Sequence, residues 1–189
     1  MNDRSTATTS SAYIDATPPA EDAARVEAAT APFAEMLGRV PDGLRLLGVS
    51  PALLEGYVEN IHYFMGHPRL GQALTTMIRY LVSSAGDCRY CIDLNEGMLV
   101  AAGFELEAVR RARQDPAQAP LPERERALLT LVLHAVANPH GMEPTEFAAV
   151  RAFGWSDQDI FDAVYHGVFN RAFGNLLEAF NVHHDGSLV

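Results

Sequence analysis

The chain has 189 residues, a formal net charge of −10 and 14 basic residues, all of them arginine. Because lysine is absent, the protein cannot form a lysine Schiff base or contain the lysine-bearing phosphate loop of nucleotide-binding proteins. The acidic charge also argues against binding of nucleic acid through its phosphates. Hydrophobic residues make up 48% and charged residues 20% of the chain, as in soluble globular domains, and no apolar stretch of about 18 residues predicts a membrane span.

The first 18 residues differ in composition from the rest of the chain. They are rich in Ser and Thr, and apart from Met1 their large apolar residues are Tyr13 and Ile14. We expect residues 1–18 to form an N-terminal arm and residues 19–189 to form a single domain. The arm lacks the apolar core of a secretory signal, which favours a cytoplasmic location.

Helical patterns follow the arm through the first half of the chain. Ser50-Pro51 is typical of a helix start. Apolar residues at helical spacing predict a helix over 70–85. We expect Asp87 to cap the next helix, which contains Cys88 and Cys91 and which Gly103 ends.

The second half continues in the same way. Pro122 is predicted to open a helix over 123–137, and Pro144 a helix that Gly154 ends. Ser156 and Asp159 resemble a capping box at the start of the last helical region. No segment alternates with the period of a strand, so the sequence predicts an all-α fold.

The two halves resemble each other when the sequence is shifted by 51 residues, the spacing that separates Gly103 from Gly154. Both glycines are followed by an aromatic residue and preceded by apolar residues at matching helical positions. We interpret residues 70–113 and 121–164 as two related helical repeats, which pack together because neither could bury its apolar face alone.

The most distinctive chemical feature is the cysteine pair, Cys88 and Cys91. Two cysteines three residues apart at a helix start lie within disulfide range, and the helix dipole there favours a thiolate. A haem attachment motif would need histidine where Ile92 stands, and no histidine has the spacing of a zinc ligand. The remaining alternative is a pair of buried structural cysteines. We therefore expect redox chemistry, with no metal and no cofactor.

The segment 81–93, followed by Ala-Ala-Gly-Phe at 101–104 and by 122–126 and 169–171, resembles the carboxymuconolactone decarboxylase and alkylhydroperoxidase D superfamily, in its peroxidase-related branch. The resemblance implies an all-α fold of two related halves that assembles as a homo-oligomer. It also implies hydroperoxide reduction, in which Cys91 attacks the peroxide, Cys88 resolves the sulfenic acid as a disulfide, and a dithiol partner restores the thiols.

Two positions depart from the family pattern. Thr76 stands where the family has glutamate, and Asn95 where it has histidine; neither replacement titrates near neutral pH. We consider His134 the preferred candidate for a substitute base, although a hydrogen-bonded core histidine is the ordinary interpretation of this residue. Tyr90, between the cysteines, and nearby acids such as Glu96 are the other candidates. The alternative hypothesis is a non-catalytic or redox-sensing oligomeric protein in which the cysteine pair is structural or regulatory.

Overall fold

The computed structural model describes residues 12–182. Those residues form helices joined by short turns, with no strand among them. The all-α prediction is confirmed. The α-helices are α1 (Ala23–Leu37), α2 (Asp42–Leu47), α3 (Pro51–Met65), α4 (Gln72–Ala85), α5 (Arg89–Ala101), α6 (Leu106–Gln114), α7 (Glu123–Ala137), α8 (Pro144–Ala152) and α9 (Asp157–Ala179).

Several helix ends follow the predicted signals. The Ser156 backbone N–H donates to Asp159 Oδ2 at 2.8 Å, and the Asp159 N–H donates to Ser156 Oγ at 3.1 Å, so both residues satisfy the N-terminus of α9. Gly103 has a φ of 93° after α5, and Gly154 has a φ of 83° after α8. Glycine suits both turns because it adopts this left-handed conformation without a Cβ clash.

The predicted cap at Asp87 is wrong. Asp87 has a φ of 54° and belongs to the end of α4, while Cys88 is the N-cap of α5. The Cys88 N–H donates to the Ser83 carbonyl at 3.1 Å and the Asp87 N–H to the Ser84 carbonyl at 3.3 Å, which is the Schellman pattern. The connection between α4 and α5 is so short that a left-handed residue must reverse the chain, and Asp87 occupies that position.

The described residues divide into two compact units. One comprises residues 12–58 and 177–182. In it, the Arg25 guanidinium binds the carboxylate of Glu55, and the Tyr13 N–H donates to the Phe180 carbonyl at 3.0 Å. The Tyr13 side chain is 74% exposed. Residues 1–11 of the predicted arm lie outside the described residues.

The other unit, residues 59–176, contains the main apolar core. Helix α4 packs against α5 and α7, and Met77, Ile78, Leu128, Leu129 and Val132 are completely buried. Helix α7 begins 51 residues after α4, and α9 begins 51 residues after α6. These starts match the shift behind the predicted repeats, which remain a prediction, as does the single domain over 19–189.

Aromatic residues on α9 line up four residues apart. The Phe161 and Tyr165 rings stack with centroids 6.4 Å apart, and the Tyr165 and Phe169 rings with centroids 5.6 Å apart. Phe161 is 68% exposed and Tyr165 42% exposed, so these two rings are not core residues. Across residues 12–182, every helix is too short or too polar to cross a membrane.

Candidate functional site

The two cysteines meet at the start of α5. Their Sγ atoms are 2.7 Å apart, with the Cys88 thiol donating to Cys91. This separation exceeds the S–S bond length of about 2.05 Å, so the pair is a juxtaposed dithiol. Cys88 exposes 2% and Cys91 4% of its surface. Cys91 is the third residue of α5, where backbone N–H groups lack intrahelical acceptors and the helix dipole favours a thiolate.

Arg79 on α4 connects the two positions where the chain departs from the resembled pattern. Its Nε donates to Asn95 Oδ1 at 2.8 Å, and its Nη2 donates to Thr76 Oγ1 at 3.0 Å. The Asn95 Nδ2 donates in turn to the Cys91 carbonyl at 2.7 Å. Thr76 and Asn95 are both buried. A positive charge is thus tied by two hydrogen bonds to the backbone of Cys91.

His166 on α9 lies on the opposite side of the same guanidinium. Its Nε2 is 3.5 Å from Arg79 Nη1 and 3.3 Å from the Thr75 carbonyl. Its Nδ1 is buried without a hydrogen-bond partner. Burial, and then the charge of Arg79, lower the pKa of His166 to about 3. The imidazole is therefore neutral at physiological pH, and Arg79 carries the charge of the cluster.

A shallow depression borders Cys88. Gly174 approaches so closely that a Cβ there would lie 3.8 Å from the Cys88 Sγ. Gly86 lies under the Arg171 side chain, since a Cβ at Gly86 would lie 1.9 Å from Nη1. Asn170, whose Nδ2 donates to Ser83 Oγ at 3.1 Å, completes this wall of the depression. Cys88, not Cys91, lines it.

Comparison with known proteins identifies the fold. No protein-family model matches the chain, and no curated protein matches it. An uncharacterized peroxidase-related protein from Silicibacter sp. TM1040 matches with a TM-score of 0.84 and 18% identity over 97% of both chains. The alkylhydroperoxidase AhpD core of a peroxidase-related protein from Ralstonia eutropha JMP134 gives 0.79 and 18% over 94% of both chains. The debrominase Bmp8, in complex with 2,3,4-tribromopyrrole, gives 0.74 and 16% over 94% of this chain and 95% of its own.

The chain has the AhpD-like fold. The agreement extends over nearly the whole length of each of these proteins, so the fold predicted from residues 81–93 is confirmed.

His134, the preferred candidate for a substitute base, has a carboxylate as its partner. His134 lies on α7, and its Nδ1 is 2.6 Å from Glu146 Oε1 on α8. The ring therefore pairs with a carboxylate and does not hydrogen-bond to either thiol. Tyr90 is buried at 2% exposure on α5. Glu96, also on α5, accepts from Tyr80 at 2.8 Å and pairs with Arg110. His134 and Glu96 therefore each pair with a residue other than the cysteines.

Three residues of this site were missed by the sequence reasoning. Arg79 could have been noticed, because it is the one charged residue in the sequence of α4, and a charge on a largely buried helix needs partners. His166 and Arg171 both lie on α9, and His166 follows Arg79 by 87 residues. Their approach to α4 depends on tertiary packing. Within residues 12–182, no cluster of three or more His, Cys, Asp or Glu could hold a metal ion.

Proposed function

We propose that the protein is a thiol-dependent oxidoreductase that reduces hydroperoxides through a cycle between the Cys88–Cys91 dithiol and its disulfide. The observation that carries the proposal is the 2.7 Å separation of the two Sγ atoms at the start of a helix. Closing the disulfide from this position needs sub-ångström movement of the sulfurs and no rearrangement of α5.

The cycle balances as follows. The Cys91 thiolate attacks the distal peroxide oxygen, the O–O bond breaks, and an alcohol leaves after taking up a proton, with Cys91 oxidised to a sulfenic acid. The Cys88 thiol then attacks the Cys91 sulfur, the S–O bond breaks, and water leaves. A dithiol reductant, or two molecules of a thiol, returns two electrons and two protons to the disulfide.

Arg79 supports thiol activation in this proposal by charge. Thr76 and Asn95 do not titrate near neutral pH, and His166 is neutral there because burial lowers its pKa to about 3. The guanidinium holds Asn95, and Asn95 holds the backbone of Cys91. A fixed positive charge near Cys91 favours its thiolate without acting as a proton acceptor.

The proposal also covers the assembly of the protein, its location and its reductant. The protein acts as a homo-oligomer in the cytoplasm, takes no cofactor or metal, and is recycled by a small thiol or redox protein. The exposed rings of Phe161 and Tyr165 favour an oligomer, because large apolar side chains that stand together on a surface are typical of interfaces.

A second candidate function is a redox sensor without turnover. It is favoured by the burial of both thiols and by the loss of titrating groups at positions 76 and 95. In that case, the disulfide forms slowly and without turnover, next to the Schellman turn at Asp87 that connects α4 and α5.

The deciding experiment follows peroxide loss by the reduced protein with a dithiol donor. We expect multiple turnovers by the wild type, none by Cys91→Ser, and a trapped sulfenic acid in Cys88→Ser. Equal turnover in Cys91→Ser contradicts the proposal, and a single oxidation without turnover supports the sensor. A bromopyrrole belongs in the same assay, because a solved protein of this fold is a debrominase; release of bromide instead of peroxide loss changes the substrate assigned here.

A further inference from the structure

Cys88 shares a depression with a basic residue that the proposed cycle does not use. Arg171 is partly buried on α9, and its guanidinium lies directly over Gly86 at the end of α4. Asn170 and Gly174, on the same face of α9, also border the depression, and a Cβ added at Gly174 would lie 3.5 Å from the Cys88 Cβ. Cys88, which exposes only 2% of its surface, and Arg171 thus border the same small depression.

Arg171 forms no ion pair with an acidic residue of the described chain, residues 12–182. Its five N–H groups include a fork that matches the two oxygens of a carboxylate. The absence of a side chain at Gly86 makes room for the guanidinium, since a Cβ there would lie 1.9 Å from Nη1. The guanidinium of Arg171 can therefore occupy this place only because residue 86 is a glycine.

We propose that this depression is the binding site for the reductant, and that the reductant is a thiol that carries a carboxylate. The carboxylate binds Arg171, and the thiolate approaches the Cys88 sulfur. This inference rests on the proposed function, whose cycle needs an outside thiol at one of the two sulfurs, and the depression selects Cys88.

The exchange balances in two steps. The reductant thiolate attacks the Cys88 sulfur, the Cys88–Cys91 bond breaks, and Cys91 leaves as a thiolate in the first turn of α5, where the helix start favours negative charge. A second reductant thiolate attacks the sulfur of the first reductant molecule. The two reductant molecules leave as a disulfide, and Cys88 is released as a thiolate that takes up a proton.

Alkylation of Cys88 in the Cys91→Ser protein tests the carboxylate site without any peroxide. Iodoacetate carries a carboxylate and iodoacetamide does not, so the ratio of their rates measures the preference for an anion while burial of the sulfur affects both reagents alike. We expect Arg171→Gln to lower this ratio about three- to tenfold, and 1 M salt to shrink the difference.

Two further variants make the test specific. Gly86→Ala keeps every charge but places a Cβ where the Arg171 guanidinium lies, so it should lower the ratio as well. Arg113→Gln is the control. Arg113, on α6, donates to Ser84 Oγ at 3.0 Å near the same end of α4, but it does not line the depression. Its ratio should equal that of the parent. An unchanged ratio in Arg171→Gln, or an equal fall in Arg113→Gln, overturns the proposal.

Reduction of the preformed disulfide tests the reductant itself. We expect 3-mercaptopropionate to reduce the wild-type disulfide several-fold faster than 3-mercaptopropanamide at equal thiolate concentration, and the two rates to become equal in Arg171→Gln. Equal rates in the wild type overturn the assignment of this reductant class. Neither the alkylation ratio nor the rate of disulfide reduction involves peroxide. Absence of peroxidase turnover would therefore refute the proposed function without deciding whether the depression binds the reductant.

Discussion

Arg79 and Asn95 are joined by a 2.8 Å hydrogen bond from the guanidinium Nε to the amide Oδ1. The same guanidinium reaches Thr76 Oγ1 at 3.0 Å. Thr76 and Asn95, the two positions at which the sequence departs from the resembled pattern, therefore share one partner. They are neutral acceptors for one arginine, and together the three side chains form a positively charged cluster beside Cys91.

Replacing Arg79 tests this cluster. Arg79→Met should lower the free energy of unfolding by about 1–3 kcal/mol, because it leaves acceptors of Thr76 and Asn95 without a donor in a buried region. It should also slow alkylation of Cys91 near neutral pH, measured with iodoacetamide in the Cys88→Ser protein. Arg79→Lys keeps the charge but not the fork. We expect it to restore the alkylation rate more completely than the stability; equal alkylation by all three proteins contradicts a charge effect.

Restoring the family residues gives a second prediction. In Thr76→Glu/Asn95→His, the new carboxylate meets Arg79, whose Nη2 lies 3.0 Å from Thr76 Oγ1. The resulting ion pair keeps the glutamate ionised, so it cannot pass protons to the new histidine. We expect no increase in the rate of peroxide reduction from this double variant, and an increase when Arg79→Leu is added. A large increase in the double variant alone would show that Arg79 does not block the relay.

The fold was accessible from the sequence because its signals are local. Helical spacing of apolar residues predicted α4 and α7, and the capping residues Ser156 and Asp159 predicted the start of α9. Asp87 shows where local signals stop: aspartate suits both an N-cap and a left-handed turn, and the length of the connection decides between them. The residue types at 86–88 do not by themselves determine the length of the connection between α4 and α5.

The cysteine pair was equally accessible, since its three-residue spacing on a helix fixes the approach of the two sulfurs. Its charged surroundings were not. His134 was preferred as a base because the 51-residue shift places it opposite Ser83, just before the cysteines, but its ring pairs with Glu146. His166 reaches Arg79 from 87 residues away. Such contacts depend on how α9 packs on α4, which amphipathic patterns do not specify.

Burial of His166 predicts how stability depends on pH. Its folded pKa of about 3 is far below the ordinary value of 6.5, so between these values the unfolded chain binds a proton that the folded chain does not. Stability is therefore complete above pH 6.5 and falls with decreasing pH. From pH 7.5 to 5, His166→Phe should lose about 1–2 kcal/mol less free energy of unfolding than the wild type, measured by urea titration. Exposed His140→Gln should keep the wild-type slope, and a wild-type slope in His166→Phe would contradict the prediction.

Close packing of α9 on α7 gives the last prediction. A Cβ at Gly167 would lie 2.6 Å from Val132 Cγ1 and 3.1 Å from Val136 Cγ2. Neither valine has a flexible end that could move away, and Val132 is completely buried. Gly167→Ala should therefore lower the free energy of unfolding by about 1–3 kcal/mol despite the higher helix propensity of alanine. Gly56→Ala is the matched control, because Gly56 lies within α3 and, apart from its chain neighbours and the backbone of its own helix, no atom lies within 4 Å of an added Cβ. It should raise the free energy of unfolding by about 0.5–1 kcal/mol. Urea titrations of the two variants measure both effects, and a gain in stability from Gly167→Ala would contradict the close packing of α9 on α7.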